Sequence, residues 1–136
     1  VTALQIHRHR EHIFASGSYD ESVRVWDDRV LTKPLATLHV GGGVWRTKWF
    51  QNSSSDFLAL ACMQAGSCVA EYSHGDDNEP PCLRATVVYP EENSLHEKHL
   101  AYGIASMLQW QDYKGEFNAL IASCSFYENT VSLWAY

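Results

Sequence analysis

Tyr19-Asp20-Glu21 and Tyr127-Glu128 stand near opposite ends of this 136-residue chain, each followed by a Ser or Thr, a Val and then a Trp. A carboxylate in such a turn accepts hydrogen bonds and can hold a histidine in place. Between the two words lie His39, the triplet Gly41-Gly42-Gly43, and then Trp45 and Arg46. A neutral histidine with no acid partner titrates near neutrality and can serve as a general base. An arginine, or the amides of a glycine triplet, can stabilise an oxyanion. His39, Arg46 and Asp20 are therefore the candidate catalytic residues. Each also has a plainer reading: His39 bonded to a backbone carbonyl at the surface, the glycines as a tight turn, and the turn acids as parts of a repeat. Nucleophilic serine chemistry lacks its usual mark, because no Gly-x-Ser-x-Gly turn occurs, and Ser18, Ser123 and Ser125 sit inside repeated words. An activated water is then the simpler nucleophile. No metal site is expected, since the four cysteines form no CxxC pair and the histidines no HxxxH pair.

Short strands must position these residues. Ile13 to Ser18 is a small-residue apolar run, Ser22 to Trp26 alternates, and Leu35 to Val40 follows Pro34. A second copy starts at Gly43 to Trp49, continues through Phe57 to Met63, turns at Ala65-Gly66, and runs from Ser67 to Tyr72. A third spans Tyr102 to Trp110, Ala119 to Ser125 and Thr130 to Trp134. Turn signals recur about every ten residues, as in small antiparallel meanders. Residues 74–99, which hold Pro80, Pro81, Pro90 and many acids, read as a solvated insertion. The second copy has no turn acid, which leaves His39 without an obvious partner. Asp20 would look for its histidine upstream of Val1, and Glu128 could use His99.

A repeat of about 40 to 45 residues built from four short strands, with a strand-ending Trp-Asp, is the mark of WD40 propeller blades. Val25-Trp26-Asp27 supplies the dipeptide, and Tyr72 and Trp134 hold the same place in degenerate copies. The expected fold is all-β: a partial WD40 β-propeller of two and a half to three four-stranded antiparallel blades. Its divisions are residues 1–40, 41–73, the insertion 74–99, and 100–136. A ring closes with about four to eight blades, so the chain reads as part of a larger ring, most simply its C-terminal portion. A net charge of -6 argues against nucleic acid as a partner. No run of about 18 apolar residues argues for a membrane span. Cys62, Cys68 and Cys124 lie in strand-like runs and Cys82 in a loop, the economical picture for a reduced cytosolic protein.

His12 to Glu21, Gly42-Gly43-Val44-Trp45-Arg46-Thr47-Lys48-Trp49, Ala61 to Gly66, Leu100-Ala101-Tyr102-Gly103 and Ala122 to Asn129 occur in that order. Together they resemble the C-terminal blades of the diphthine methylesterase family, also called WD-repeat protein 85. Gly-Gly-Val-Trp-Arg and Cys-Ser-Phe-Tyr are far more specific than a general WD40 pattern. The family pattern places an Asp-Trp pair shortly after Tyr-Gly, whereas this chain continues Ile104-Ala105-Ser106.

The resemblance implies hydrolysis of a methyl ester on an over-methylated diphthamide intermediate. The substrate would be a modified histidine of elongation factor 2, acted on in the cytoplasm without a metal or organic cofactor. That group carries a trimethylammonium beside its ester, and aromatic faces attract such a cation. Blade topology brings the start of each innermost strand and the turn between second and third strands to one end. Trp45, Tyr19, Glu21, Tyr102, Tyr127 and Glu128 are therefore the expected substrate-binding residues. The tyrosines read equally well as packing between blades, and Trp49 reads as core. Two non-hydrolytic readings use the same features: a WD40 scaffold that docks a protein, and a reader of methylated lysine or arginine.

Overall fold

The computed structural model describes residues 1–51, 55–89, 101–111, 117–125 and 129–135, and the structural statements below concern these. Among them the chain forms eleven strands and no helix: β1 (Ala3–Ile6), β2 (Ile13–Gly17), β3 (Ser22–Asp27), β4 (Ala36–His39), β5 (Arg46–Gln51), β6 (Asp56–Ala61), β7 (Ser67–Ser73), β8 (Cys82–Tyr89), β9 (Gly103–Gln111), β10 (Phe117–Ser125) and β11 (Thr130–Ala135). They make three antiparallel meanders, β1-β2-β3-β4, β5-β6-β7-β8 and β9-β10-β11. This is the expected partial WD40 propeller.

Alternation along each strand explains the stacking. Successive side chains on a strand point to opposite faces. On β6, Leu58 and Leu60 join the core shared with the first blade, while Phe57, Ala59 and Ala61 join the core shared with the third. The middle blade is covered on both faces, which is why Asp56–Ala61 is buried throughout. On β3, Val23 and Val25 face the second blade and meet Trp49, Leu58 and Leu60 in one cluster.

The Trp position recurs as the sequence suggests. The Trp26 indole donates to Ser16 Oγ at 2.8 Å, and the Trp134 indole to Ser123 Oγ at 3.4 Å. In the middle blade Tyr72 takes this place, and Leu58 stands where the other blades have serine. The Tyr72 hydroxyl is consequently buried with no hydrogen-bond partner among the described residues, and burial pushes its pKa up to about 12. A buried hydroxyl without a partner costs stability. Tyr72→Phe is therefore expected to raise stability by about 1 kcal/mol, read as a higher urea midpoint; a lower midpoint would show that the hydroxyl is bonded.

The segment 74–99 differs from expectation. Cys82–Tyr89 is a strand, β8, that pairs with β7 and completes the second blade. Cys82 opens this strand and does not lie in a loop. Asp76 caps the preceding turn by accepting the amides of Asn78 and Glu79. Prolines and acids mark that turn and hide the apolar run behind it.

At the end of the sheets formed by the β1–β2 loop, the first two blades are tied by a buried cluster. The imidazole of His7 accepts the amides of His9 and Arg10 on Nδ1. Its Nε2 lies 3.2 Å from Asp56 Oδ1, close enough for charge attraction but off the line of a good hydrogen bond. Asp56 also accepts Arg10 Nε at 2.7 Å and the side-chain amide of Gln51. Burial of Asp56 would raise its pKa, but the bonds from Gln51 and Arg10 and the nearby positive charge hold it below the ordinary value. Burial lowers His7 despite Asp56, and burial also lowers His74.

Because folding disfavours the proton on His7, its contribution to stability is complete above the ordinary pKa of 6.5 and drains as pH falls toward the lowered folded value. Thermal stability should therefore decline as pH falls below about 6.5. His7→Asn should flatten that decline in a series of melting curves, whereas parallel slopes for the two proteins would assign it to other groups.

Candidate functional site

Three aromatic residues from three blades meet at the opposite end of the sheets. The rings of Tyr19 and Trp45 are 5.6 Å apart and those of Trp45 and Tyr102 6.0 Å apart, both edge to face. Trp45 is the middle ring. The guanidinium carbon of Arg46 lies 5.6 Å from the Trp45 ring centre, and Arg46 Nη1 donates to the Trp45 carbonyl at 2.8 Å.

The backbone places these rings by one device used twice. Where the chain enters the second blade, the Val44 amide donates to the Ser18 carbonyl at 3.0 Å, next to Tyr19, and the Trp45 amide donates to the Ala61 carbonyl at 2.8 Å. Where it enters the third, Met63 and Ala101 exchange both amide–carbonyl bonds at 3.0 Å, and the Tyr102 amide donates to the Cys124 carbonyl. Each innermost strand thus begins pinned to the turn between second and third strands of the preceding blade. Gly42 and Gly43 permit this closeness. A Cβ on Gly42 would collide with the Cys62 carbonyl, and one on Gly43 would lie 2.8 Å from Met63 Sδ and 3.3 Å from Tyr19 Cδ1.

The other sequence candidates are engaged nearby. Asp20 takes a forked pair of bonds from Arg24, at 2.8 and 3.2 Å, and accepts the Ser22 amide at 3.1 Å. The Arg24 bond keeps the Asp20 carboxyl below its usual range, which makes it a weaker base. His39, expected to lack a partner, has one: its Nε2 lies 3.2 Å from Glu21 Oε2. Strand register explains the pair, since His39 sits opposite Ser22, beside Glu21. Glu21 itself adopts a left-handed φ of 63° and its carbonyl accepts the Val40 amide, closing the turn. His39 ends the fourth strand while Trp45 precedes the first strand of the next blade, so the acid–base pair and the aromatic group belong to the same end but to different strands. Tyr127, Glu128 and His99 lie outside the described residues.

The buried thiols take no part. Burial pushes Cys68 up to about 12 and Cys62 higher still, so both remain protonated. Among the described residues, no group of three or more His, Cys, Asp or Glu side chains could hold a metal ion. No described helix is long and apolar enough to cross a membrane. Sequence reasoning missed Met63, which seats the third blade beside Tyr102, and the whole His7–Asp56 cluster. An acid opening an otherwise apolar strand, Asp56, was the signal available for the latter.

Radial antiparallel meanders, two of four strands and one of three among the described residues, whose turns and innermost strands converge at one end define a portion of a WD40 β-propeller. A chain in the crystal structure of the mitotic checkpoint complex shares the fold, with a TM-score of 0.57 at 12% identity over 98% of this chain and 35% of that one. No family model matches the sequence. The chain is 36% identical over 138 residues to a diphthine methyltransferase homolog of Dictyostelium discoideum, covering 98% of this chain and 35% of that protein. It is 50% identical over 66 residues to the diphthine methyltransferase of Homo sapiens, covering 48% of this chain and 14% of that protein. The chain belongs to the diphthine methyltransferase family. It spans about a third of the length of the curated relatives it matches over most of its own sequence. Those relatives are named for diphthine.

Proposed function

We propose that the protein hydrolyses the methyl ester of methylated diphthine on elongation factor 2, with the cytosol as its compartment and no cofactor. The observation that supports this reading is the Tyr19–Trp45–Tyr102 group with a guanidinium already resting over the central ring. Such a group suits a trimethylammonium, which gains from aromatic faces without needing a counter-carboxylate. Water attacks the ester carbonyl and gives its proton to a base; the carbon–methoxy bond then breaks, and the methoxy oxygen takes that proton to leave as methanol. His39 backed by Glu21 is the base in this scheme. Arg46 and the amides of Gly41, Gly42 and Gly43 are its oxyanion donors.

The names of the relatives denote methyl transfer; in the proposed reaction the methoxy group leaves to water as methanol. Incubation of full-length protein with the methyl-esterified factor should release methanol and lower the factor's mass by one methylene, without a methyl donor. Tight binding with no change of mass would instead identify a scaffold, and a gain of mass that requires a methyl donor would identify a methyltransferase.

A further inference from the structure

Arg10, Arg24 and Arg29 are each held by an aspartate, respectively Asp56, Asp20 and Asp27. Arg46 differs. Among the described residues no carboxylate pairs with it, and it rests on the Trp45 ring and its own neighbour's carbonyl. An exposed contact between a guanidinium and an indole is weak and easily exchanged. It also creates a conflict, because one ring face cannot hold Arg46 and a second cation at once, and a guanidinium parked on Trp45 is not free to meet an oxyanion.

We propose that the two roles are consecutive: an organic cation displaces Arg46 from Trp45, and the displaced guanidinium turns to the negative charge on the same ligand. The proposal rests on reading the aromatic group as a cation site. The ligand class it selects is a quaternary ammonium with a carboxylate, or a carbonyl that becomes anionic, a few bonds away. Binding of the cation would then arm Arg46. A ligand bearing only the cation displaces it without return, while one bearing both charges recovers the lost interaction as a charge-assisted hydrogen bond.

Two probes separate these cases: tetramethylammonium, which carries the cation alone, and trimethylglycine, which adds a carboxylate. Both are titrated with the full-length protein at constant ionic strength, following the N-methyl proton signal of the probe itself by NMR. The wild-type chain should prefer trimethylglycine. Arg46→Ala, an exposed site whose folding circular dichroism would verify, should bind tetramethylammonium about two- to fivefold more tightly by removing the competitor, and should lose the preference for trimethylglycine. Unchanged tetramethylammonium affinity or an unchanged preference in this variant would overturn the exchange while leaving the cage intact. Trp45→Ala with undiminished affinity for either probe, or no saturable binding by any variant, would overturn the cage reading and the exchange together.

Discussion

Replacing Trp45 with alanine is expected to lower methyl ester turnover by about thirtyfold or more in full-length protein that remains folded. Trp45 touches both tyrosines and carries Arg46 on its face, so its loss removes the shared wall of the opening. A well-desolvated cation–π contact contributes about 2 kcal/mol, which corresponds to the thirtyfold figure. Misplacement of the ester relative to the base would add to it. The loss should fall mainly on kcat/KM, and Trp45→Phe, which keeps an aromatic face, should recover part of it. Trp45 is half-buried, so its removal should cost little stability compared with a core residue. Circular dichroism and a urea curve would separate the two effects. An unchanged rate in folded Trp45→Ala protein would remove the indole from the site.

Leu58→Ala is expected to have the largest effect on stability, a cost of about 2–5 kcal/mol. Leu58 is 0% exposed on the middle strand pair of the middle blade, and its cluster includes Trp49, Tyr72, Val23 and Val25. Truncation leaves a hole bounded by sheets from two blades whose backbones are fixed by ladder hydrogen bonds, so collapse into it is limited. For a domain with a total stability of about 5–15 kcal/mol this is a major fraction. Leu31→Ala, at a site 60% exposed, should change stability by no more than about 0.5 kcal/mol. Equal urea midpoints for the two variants would mean that the two blades do not share the core described here.

Much of the fold could be read from residue order because strand periodicity and turn chemistry are local. Ser22 to Trp26 alternates, and it forms β3; Phe57 to Met63 is apolar throughout, and β6 proves to be buried on both faces. The convergence of Tyr19, Trp45 and Tyr102 followed from the repeat, since each sits at the same end of its blade. What stayed hidden depends on register and on contacts between blades. The partner of His39 is fixed by the pairing of β3 with β4, which a one-residue slip would abolish. The His7–Asp56 contact joins a loop of one blade to the first residue of a strand in the next, and neither residue has a local sequence cue for the other. β8 was obscured by the prolines just before it, although Leu83 is buried in the shared core. The resident position of Arg46 over Trp45 depends on a rotamer, which residue order does not specify.

The central claim is that this aromatic opening serves the hydrolysis of an ester at its acyl carbon. Reaction of the methyl-esterified elongation factor in oxygen-18 water tests it most directly, with mass spectrometry of both the factor and the methanol. Attack of water at the acyl carbon leaves one heavy oxygen in the new carboxylate and ordinary oxygen in the methanol. Heavy methanol, or a factor that keeps its methyl group, would contradict it.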